Sequence, residues 1–263
     1  MEPFATRIDG PVAVIGDVHG QLDKLTDVLQ RLRRMPDFLQ RWVVLIGDYV
    51  DRGPDPKAAI DLILALRREH PRVTAIAGNH DFAMMAGLGL IATPELANWP
   101  QRWLSHYDAH STFESYGVEF GDLEALRTQL PDDHREFLIG LPWCVEHSRY
   151  LFVHAGLDSN VPFDVQLRIL RQKDTTLHRP QWLCSKALVD ADVPVDCPLA
   201  AVSGHVRVPR VEFRKKRVLV DTSGGEDGPL SAALLPEKKT VASHGPSCPA
   251  GSPKKSRWRL WNS

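Results

Sequence analysis

Short apolar runs alternate with helix-spaced apolar positions in the first third of the chain. Val12–Ile15 and Trp42–Ile46 are continuous apolar runs, and Val73–Ala77 is apolar except for Thr74. All three have the length expected for buried strands. Between them, leucine, valine and alanine recur at helical spacing, which predicts helices over 21–34 and over Ala58–Leu66. The order strand, helix, strand, helix, strand predicts a parallel sheet in a fold of α/β class.

Shorter elements are expected in the rest of the chain. Residues 82–140 are predicted to be helical and loop-rich, and residues 173–198 to be irregular. The further predicted elements are strands at 142–146 and 150–154, a helix at 163–171, and several short strands within 199–235. No internal repeat is present.

The composition changes after Pro236, which divides the chain into two regions. Residues 1–236 are expected to form one folded domain, because a chain of this length buries a full core without disulfides or structural metal. Residues 237–263 are rich in Ser, Pro, Gly, Lys and Arg and carry six basic residues against one acidic residue. We expect this segment to be a basic, disordered tail.

The net charge, the cysteines and the apolar runs indicate which partners and which cellular compartment are expected. The formal net charge of -1 argues against nucleic acid as a general partner. The four cysteines form no CxxC pair, so reduced thiols in the cytosol or nucleus are expected. The first residues lack a basic segment followed by an apolar one, which argues against a signal peptide. No apolar run reaches the roughly 18 residues of a membrane span, so no membrane association is expected.

Polar side chains directly follow the predicted core strands. The segments GDVHG from Gly16, GDYVDRG from Gly47 and GNHD from Gly78 follow the first three strands, and two later strands each lead to a histidine. Ligands of open α/β sheets bind at the carboxyl ends of the strands, so these side chains should converge. The candidates are Asp17, His19, Asp48, Asn79, His154 and His205.

This mixture of oxygen and imidazole ligands suits Mn²⁺, Fe or Zn²⁺. A carboxylate that lies between two metal ions can bridge them, and Asp48 is the candidate for that position. A single histidine or Gly-Asp pair is explained as well by a satisfied core residue or a turn. Five such clusters at strand ends are difficult to explain structurally, so the sequence predicts a site for two metal ions.

The five clusters resemble the signatures of the phosphoprotein phosphatase (PPP) family of metallophosphoesterases. The resemblance rests on GDVHG, GDYVDRG, GNHD, HAG and GH in that order, and it covers roughly residues 10–235. Within the family, the chain looks closest to the Rhizobiales-like phosphatases of plants, which resemble serine/threonine phosphatases but act on phosphotyrosine. The segments that carry this closer resemblance are AGNHDFA (77–83), STFESYGV (111–118), LRQKDT (170–175) and AALLPEKK (232–239).

The resemblance implies a fold and a role for each site residue. The fold is the calcineurin-like metallophosphoesterase fold, a sandwich of two β-sheets flanked by helices, with residues 1–236 as the catalytic domain. The implied metal ligands are Asp17 and His19 for the first ion, Asp48 as the bridge, and Asn79, His154 and His205 for the second. Arg52, Asn79 and His80 would bind the substrate phosphate. His80 would also be the general acid, oriented by Asp51.

Two positions depart from the family pattern. The residue before GNH is Ala77, where the family usually has an arginine that contributes to phosphate binding, and the usual GNHE is GNHD with Asp81. A further family arginine is expected in the 170–190 region, where Arg171, Arg179 and Lys186 are all candidates. The Rhizobiales-like subgroup shares the AGNHD form. These departures indicate an altered phosphate environment, so serine/threonine specificity should not be assumed.

The implied reaction is hydrolysis of a phosphate monoester by attack of a metal-bound hydroxide, since two metal ions lower the pKa of bound water and clamp the phosphate. A cysteine-based tyrosine phosphatase is excluded because none of the four cysteines is followed by arginine at the Cys-(X)5-Arg spacing. We therefore expect a phosphorylated protein as substrate, with phosphotyrosine as the preferred residue.

Alternative functions remain open at this stage. They are a serine/threonine protein phosphatase and a diadenosine tetraphosphatase-type hydrolase, since relatives of that kind also carry GNHD. A binding protein with a dead site is disfavoured because every metal position is intact. Basic residues within 168–179 and 207–217 could form a second phosphate pocket, although solvated surface explains them as well. The sequence leaves open the metal identity, the physiological substrate, the oligomeric state and the role of the tail.

Overall fold

The apolar runs of the chain form the central strands of two β-sheets. The computed structural model describes residues 2–244, and the element bounds refer to that part of the chain. The strands are β1 Arg7–Ile8, β2 Val12–Ile15, β3 Trp42–Leu45, β4 Val73–Ala75, β5 Cys144–His147, β6 Tyr150–Val153, β7 Ala200–Ser203, β8 Glu212–Phe213, β9 Arg217–Leu219, β10 Ser231–Leu235 and β11 Lys239–Ala242. The α-helices are α1 Leu22–Arg33, α2 Pro56–Glu69, α3 Asn79–Gly87, α4 Trp99–His106, α5 His110–Ser115, α6 Leu123–Gln129, α7 Asp132–Gly140, α8 Phe163–Gln172 and α9 Gln181–Cys184.

The first sheet contains the predicted parallel core. Its strand order is β11-β10-β2-β3-β4, in which β2, β3 and β4 are parallel and β10 runs antiparallel to β2. In the register of the parallel strands, Ile15 lies opposite Leu45 and Leu45 lies opposite Ala75. The three strands therefore end at the same edge, which confirms the expectation that the polar segments following them lie side by side.

The second sheet has the order β1-β5-β6-β7-β9-β8. Strands β6, β7 and β9 are parallel to one another, so their carboxyl ends also share one edge. Its inner face packs on the first sheet through β-branched and aromatic side chains. This inter-sheet core includes Val14, Val44 and Ile76 from the first sheet and Val145, Phe152 and Val202 from the second. The predicted sandwich of two sheets is confirmed.

Helices cover the outer face of the first sheet, as the amphipathic patterns predict. The buried face of α1 presents Leu25, Val28 and Leu29 to the larger hydrophobic core. Helix α2 begins at Pro56, where a proline has no helical hydrogen bond to lose. Its N-cap is Asp55, whose carboxylate accepts a hydrogen bond from the Ala58 amide at 2.9 Å. Local capping and apolar periodicity thus agree with the tertiary packing.

Some expected boundaries differ from those of the structure. Helix α2 extends beyond the predicted Ala58–Leu66 at both ends, and β4 ends at Ala75 rather than at Ala77. The segment expected to be irregular contains the short helix α9 and a 3-10 turn at Lys186–Leu188. Strand β1 was not predicted, because two residues are too few to show a periodicity. No helix within residues 2–244 is long and apolar enough to cross a membrane.

The prediction of a disordered tail from residue 237 onwards is wrong for its first residues. Lys239–Ala242 forms β11, which pairs antiparallel with β10 and extends the first sheet. The chain is held at this point by Arg41, a buried side chain whose guanidinium donates to the Glu237 carboxylate at 2.6 Å. This edge strand was not recognised because its sequence is largely polar. A strand that pairs on one side only and is partly exposed does not need an apolar run. Residues 245–263 of the expected tail lie outside the described residues.

Candidate metal centre

The predicted ligands follow strands of both sheets and meet where the two sets of carboxyl ends face each other. Asp17 follows β2, Asp48 follows β3 and Asn79 begins α3 after β4, while His154 and His205 follow β6 and β7. All five side chains are buried except His205, which is partly exposed. The structure therefore brings together residues that are up to 188 positions apart in the chain.

Four ligand atoms converge on the side of the site formed by Asn79. The Asn79 Oδ1 atom lies 3.0 Å from His154 Nε2 and 2.7 Å from His205 Nδ1. The Asp48 Oδ2 atom lies 3.3 Å from the same His154 nitrogen. The other ring nitrogen of His154 donates to the Ile46 carbonyl at 2.8 Å. That bond places a proton on Nδ1 and directs Nε2 at the centre, where it can act as a ligand once it carries no proton.

A second group of ligand atoms lies on the other side of Asp48. The His19 Nε2 atom is 3.5 Å from Asp48 Oδ2, and its Nδ1 donates to the Val50 carbonyl at 3.0 Å. Candidate ligand atoms of His19, Asp48 and His80 lie within 4.8 Å of one another, as do those of Asp48, His154 and His205. Asp48 is thus the residue common to both groups, which is the position expected of a bridging carboxylate.

Asp17 is in neither of these two groups, but its carboxylate contacts the backbone of His205, which belongs to one of them. Its Oδ2 accepts a hydrogen bond from the His205 amide at 2.9 Å. Its Oδ1 is buried and has no hydrogen-bond partner among the described residues. Burial, followed by repulsion from Asp221, raises the pKa of Asp17 well above its usual value. A buried carboxylate oxygen with no donor indicates a missing positive partner.

The residues present fit two metal ions. The donors are carboxylate and amide oxygens with imidazole nitrogens, which suit divalent first-row metals. Two glycines leave room for the candidate carboxylate ligands. A side chain at Gly204 would overlap the Asp17 carboxylate, and one at Gly78 would overlap that of Asp48. Larger residues at these two positions would displace the ligands. The metal identity is not specified by this ligand set.

Asp81 connects the segment that carries Asp48 with the one that carries Asn79. Its carboxylate accepts hydrogen bonds from the backbone amides of Asp48, Tyr49 and Gly78, each at 2.8 Å. Burial is the main reason that its pKa rises to about 7, and the donated hydrogen bonds act in the opposite direction. The aspartate of the GNHD motif is therefore a structural anchor for the turns that follow β3 and β4, and it does not line the cleft.

His80 and Asp51 form a buried pair next to the first group of ligands. His80 Nδ1 lies 2.8 Å from Asp51 Oδ2, and the carboxylate also accepts hydrogen bonds from Thr112 Oγ1 at 2.6 Å and Trp103 Nε1 at 3.0 Å. Burial raises the pKa of Asp51 to about 8 and lowers that of His80 to about 3. The predicted dyad is present, with the His80 ring held edge-on to Tyr107.

A cleft of about 920 Å³ opens above these residues and has basic side chains on its walls. Arg52 donates to the Gly224 carbonyl at 2.9 Å and reaches His19 Nε2 at 3.1 Å. The other basic residues that line the cleft are Arg102, His106, Arg179, Lys186 and Arg207. Of the candidates for the additional family arginine, Arg179 and Lys186 reach the cleft. Arg171 does not, since it pairs with Glu146 at 2.6 Å on the surface.

Most of the basic residues in the two segments that could have formed a second phosphate pocket bind carboxylates or backbone carbonyls. Arg214 pairs with Glu212 at 2.7 Å and with Asp190 at 3.1 Å. Lys173 donates to the Ile139 carbonyl at 3.0 Å. Ala77 is fully buried and does not line the cleft, so it contributes no phosphate-binding group.

Several residues of the site were not singled out in the sequence. Trp103 and Tyr107 come from the helical region 82–140, and Thr112 lies in STFESYGV (111–118), a segment that was noted for its resemblance and not as part of the site. Asp221 is different, because it follows the apolar residues Val218–Val220 in the same way that Asp17 and Asp48 follow theirs. The strand-end rule would have found Asp221 if it had been applied to every predicted strand.

Comparison with known proteins places these observations in a family. The family model described as calcineurin-like phosphoesterase matches residues 10–220. The serine/threonine-protein phosphatase PP2A-like PPG1 of Candida albicans is 38% identical over 80 residues, which is 30% of this chain and 18% of that protein. The chain spans a quarter or less of the length of the curated relatives it matches.

Solved structures share the fold at low sequence identity. A candidate diadenosine tetraphosphatase has a TM-score of 0.60 at 20% identity, covering 94% of this chain and 100% of that one. The cold-active protein-tyrosine phosphatase of a psychrophilic Shewanella species has a TM-score of 0.53 at 16% identity, covering 92% of this chain and 83% of that one. These likenesses concern the fold.

Proposed function

The chain belongs to the calcineurin-like phosphoesterase family, and from that premise we propose that it is a metal-dependent phosphatase that hydrolyses phosphate monoesters on proteins. The observation that carries the proposal is the convergence of Asn79 Oδ1, His154 Nε2 and His205 Nδ1, at separations of 3.0 and 2.7 Å, on a cleft that also contains Arg52. A structural role does not explain why this many polar side chains are buried together beside a solvent-filled cleft.

The proposed ligands keep the roles that the resemblance implies. Asp17 and His19 would hold one metal ion, Asn79, His154 and His205 would hold the other, and Asp48 would be shared by both. When bound, such a pair clamps the phosphate oxygens and lowers the pKa of water. The hydrogen bonds of His19 to Val50 and of His154 to Ile46 hold both rings with Nε2 toward the centre.

Two further residues, Arg52 and His80, act on the substrate, and Asp51 orients His80. Arg52 offers a planar donor fork to the phosphate, together with Asn79 and His80. His80 gives a proton to the leaving oxygen, and the 2.8 Å contact with Asp51 holds its ring so that Nε2 faces the cleft. Because burial lowers the pKa of His80, this role requires an ionised Asp51 and a bound phosphate anion to keep the proton on the ring. A phenolate leaving group, with a pKa near 10, needs this proton less than the alkoxide of serine does.

We propose phosphotyrosine as the preferred residue. The segments that resemble the Rhizobiales-like phosphatases support this choice. So does the absence of a phosphate-binding arginine at Ala77, a buried position that does not line the cleft. The partner is then a phosphorylated protein. The buried free thiols of Cys144, Cys184 and Cys197 support a reducing compartment such as the cytosol or nucleus, while Cys248 lies outside the described residues.

A dinucleoside polyphosphate is the second candidate substrate, and the basic wall of the cleft favours it. Arg102, Arg179 and Lys186 line the cleft, and within residues 2–244 none of them forms an ion pair with a carboxylate. A side cavity of about 400 Å³ continues from the cleft past Arg179 and Lys186. Phosphates beyond the reacting one would find unpaired cations there.

The deciding experiment measures phosphate release with Mn²⁺ from matched phosphotyrosine, phosphoserine and phosphothreonine peptides and from diadenosine tetraphosphate. The Asp48→Asn variant, prepared in parallel, controls for contaminating phosphatases. A preference for the phosphotyrosine peptide supports the main proposal, and a preference for phosphoserine or phosphothreonine shows the other protein phosphatase specificity. A preference for the dinucleotide establishes the second candidate. No release above the Asp48→Asn background from any substrate would refute phosphatase activity.

A further inference from the structure

Asp221 is a buried acidic residue in the cleft that has no role in the proposed mechanism. It follows β9, the strand next to β7, so it lies beside the strand end that presents His205. Only 1% of its surface is exposed. The Cα atom of Asp221 is 3.3 Å from the position that a Cβ atom on Gly16 would occupy, so the turn that carries Asp17 packs directly on it.

The orientation of the Asp221 side chain is fixed by its own turn. Its Oδ1 accepts hydrogen bonds from the backbone amides of Ser223 at 3.1 Å and Gly224 at 2.8 Å. Within residues 2–244, no donor binds its Oδ2. The same turn also holds the metal-binding segment, because Ser223 Oγ donates to the Asp17 carbonyl at 3.0 Å. One oxygen of the carboxylate is therefore structural and the other remains available on the cleft wall.

Asp221 is a third carboxylate in a buried region that already contains those of Asp17 and Asp48. Asp17, Asp48 and Asp221 are each at most 2% exposed. The Asp17 Oδ1 atom is buried and has no donor among the described residues. A cation bound among these buried carboxylates would offset their charge and stabilise their ionised forms.

We propose that Asp221 is a positioning residue of the metal centre, which strengthens cation binding on the Asp17 side through its charge and its free Oδ2. The inference rests on the proposed function, since it concerns the same centre. Asp221 would be a third buried carboxylate next to the two, Asp17 and Asp48, that the family resemblance implies as ligands. Outer carboxylates of this kind typically contribute about 10–100-fold to metal affinity.

The test compares Asp221→Asn with Asp227→Asn in the full-length protein. Asparagine keeps an oxygen for the Ser223 and Gly224 amides but removes the charge. Asp227 loses the same charge in the same turn, but its side chain is exposed. Metal-free protein is titrated with Mn²⁺ by calorimetry, and bound metal is counted by mass spectrometry. We expect Asp221→Asn to weaken one of two Mn²⁺ sites by about 10–100-fold, while Asp227→Asn binds as wild type does.

Thermal unfolding of the metal-free proteins separates this role from a purely structural one. Removing the Asp221 charge relieves its repulsion with Asp17, so the metal-free Asp221→Asn variant should melt at or above the wild-type temperature. Wild-type Mn²⁺ affinities in Asp221→Asn overturn the proposal, and so does a lower melting temperature of the metal-free variant with equal weakening at both sites. Asp221→Ser serves as the second variant if the asparagine protein does not fold.

The outcome for Asp221 is distinguishable from that for the proposed function. A wild-type protein that binds two Mn²⁺ ions and releases phosphate, with an Asp221→Asn variant of equal affinity, refutes only the role of Asp221. A wild-type protein that binds no Mn²⁺ and releases no phosphate refutes the function and this inference together.

Discussion

Replacing Asp81 by asparagine should destabilise the fold and loosen the metal centre together. The Asp81 carboxylate receives three buried backbone amides, from Asp48, Tyr49 and Gly78. An asparagine side chain has one acceptor oxygen, so it can serve the two amides that now bind Oδ2. Its NH₂ group would then face the Tyr49 amide, donor against donor.

The cost follows from the bond that is lost. A hydrogen bond to a charged group contributes about 1.5–3 kcal/mol, and an unsatisfied buried donor costs about 1–3 kcal/mol. We expect Asp81→Asn to lower the free energy of unfolding by about 2–5 kcal/mol in urea titrations of the metal-free protein. Because Asp48 is held through its amide, Mn²⁺ affinity should also fall, by about 10–100-fold as for other outer partners of metal ligands.

Two comparison variants make the result interpretable. Asp55→Asn changes the same functional group where it receives a single amide at a helix N-cap, and asparagine caps as well as aspartate does. Its unfolding free energy should stay within about 0.5 kcal/mol of wild type. Asp81→Glu keeps the carboxylate but adds a methylene to a fully buried side chain, at about 1–3 kcal/mol for overpacking. An Asp81→Asn protein with wild-type stability and Mn²⁺ affinity would falsify the anchoring role.

Two predictions concern the catalytic residues directly. Asp48→Asn should abolish phosphate release and reduce the bound metal measured by mass spectrometry, because the one residue common to both ligand groups loses its charge; an active variant would be incompatible with a bridging role. His80→Asn should slow hydrolysis of a phosphoserine peptide more than that of a matched phosphotyrosine peptide, since an alkoxide leaving group needs a proton more than a phenolate does. Equal rate losses on the two peptides would argue against His80 as the leaving-group acid.

The contrast between Arg171 and Arg179 shows why substrate specificity is difficult to infer from sequence. Both are basic residues within eight positions of each other, in the region where an additional phosphate-binding residue was expected. Arg171 lies on α8 and pairs with Glu146, whereas Arg179 precedes α9 and lines the cleft. Their sequence context does not distinguish them, because the direction of each side chain depends on how the segment between α8 and β7 packs.

The candidate metal ligands could be selected from the sequence because their signal is local. Asp17 and Asp48 each follow a short apolar run and a glycine, and a chain that leaves a parallel strand must place such residues at the carboxyl edge of the sheet. His154 and His205 follow the same rule on the second sheet. The sequence by itself thus determined the α/β class, the parallel core and the candidates for the metal-binding set.

Only the tertiary structure decided how these residues are supported and what surrounds them. The anchoring of Asp48 by Asp81, the contacts of Thr112 and Trp103 with Asp51, and the approach of Asp221 to the Asp17 turn join segments far apart in the chain. Strand β11 forms a hairpin with the adjacent β10, and the distant contact at this point is the one between Arg41 and Glu237. Such contacts have no period and no motif, because they arise from the packing of separate elements. Sequence patterns report the local conformation of a segment and the face it buries, whereas its partner is set by the whole fold.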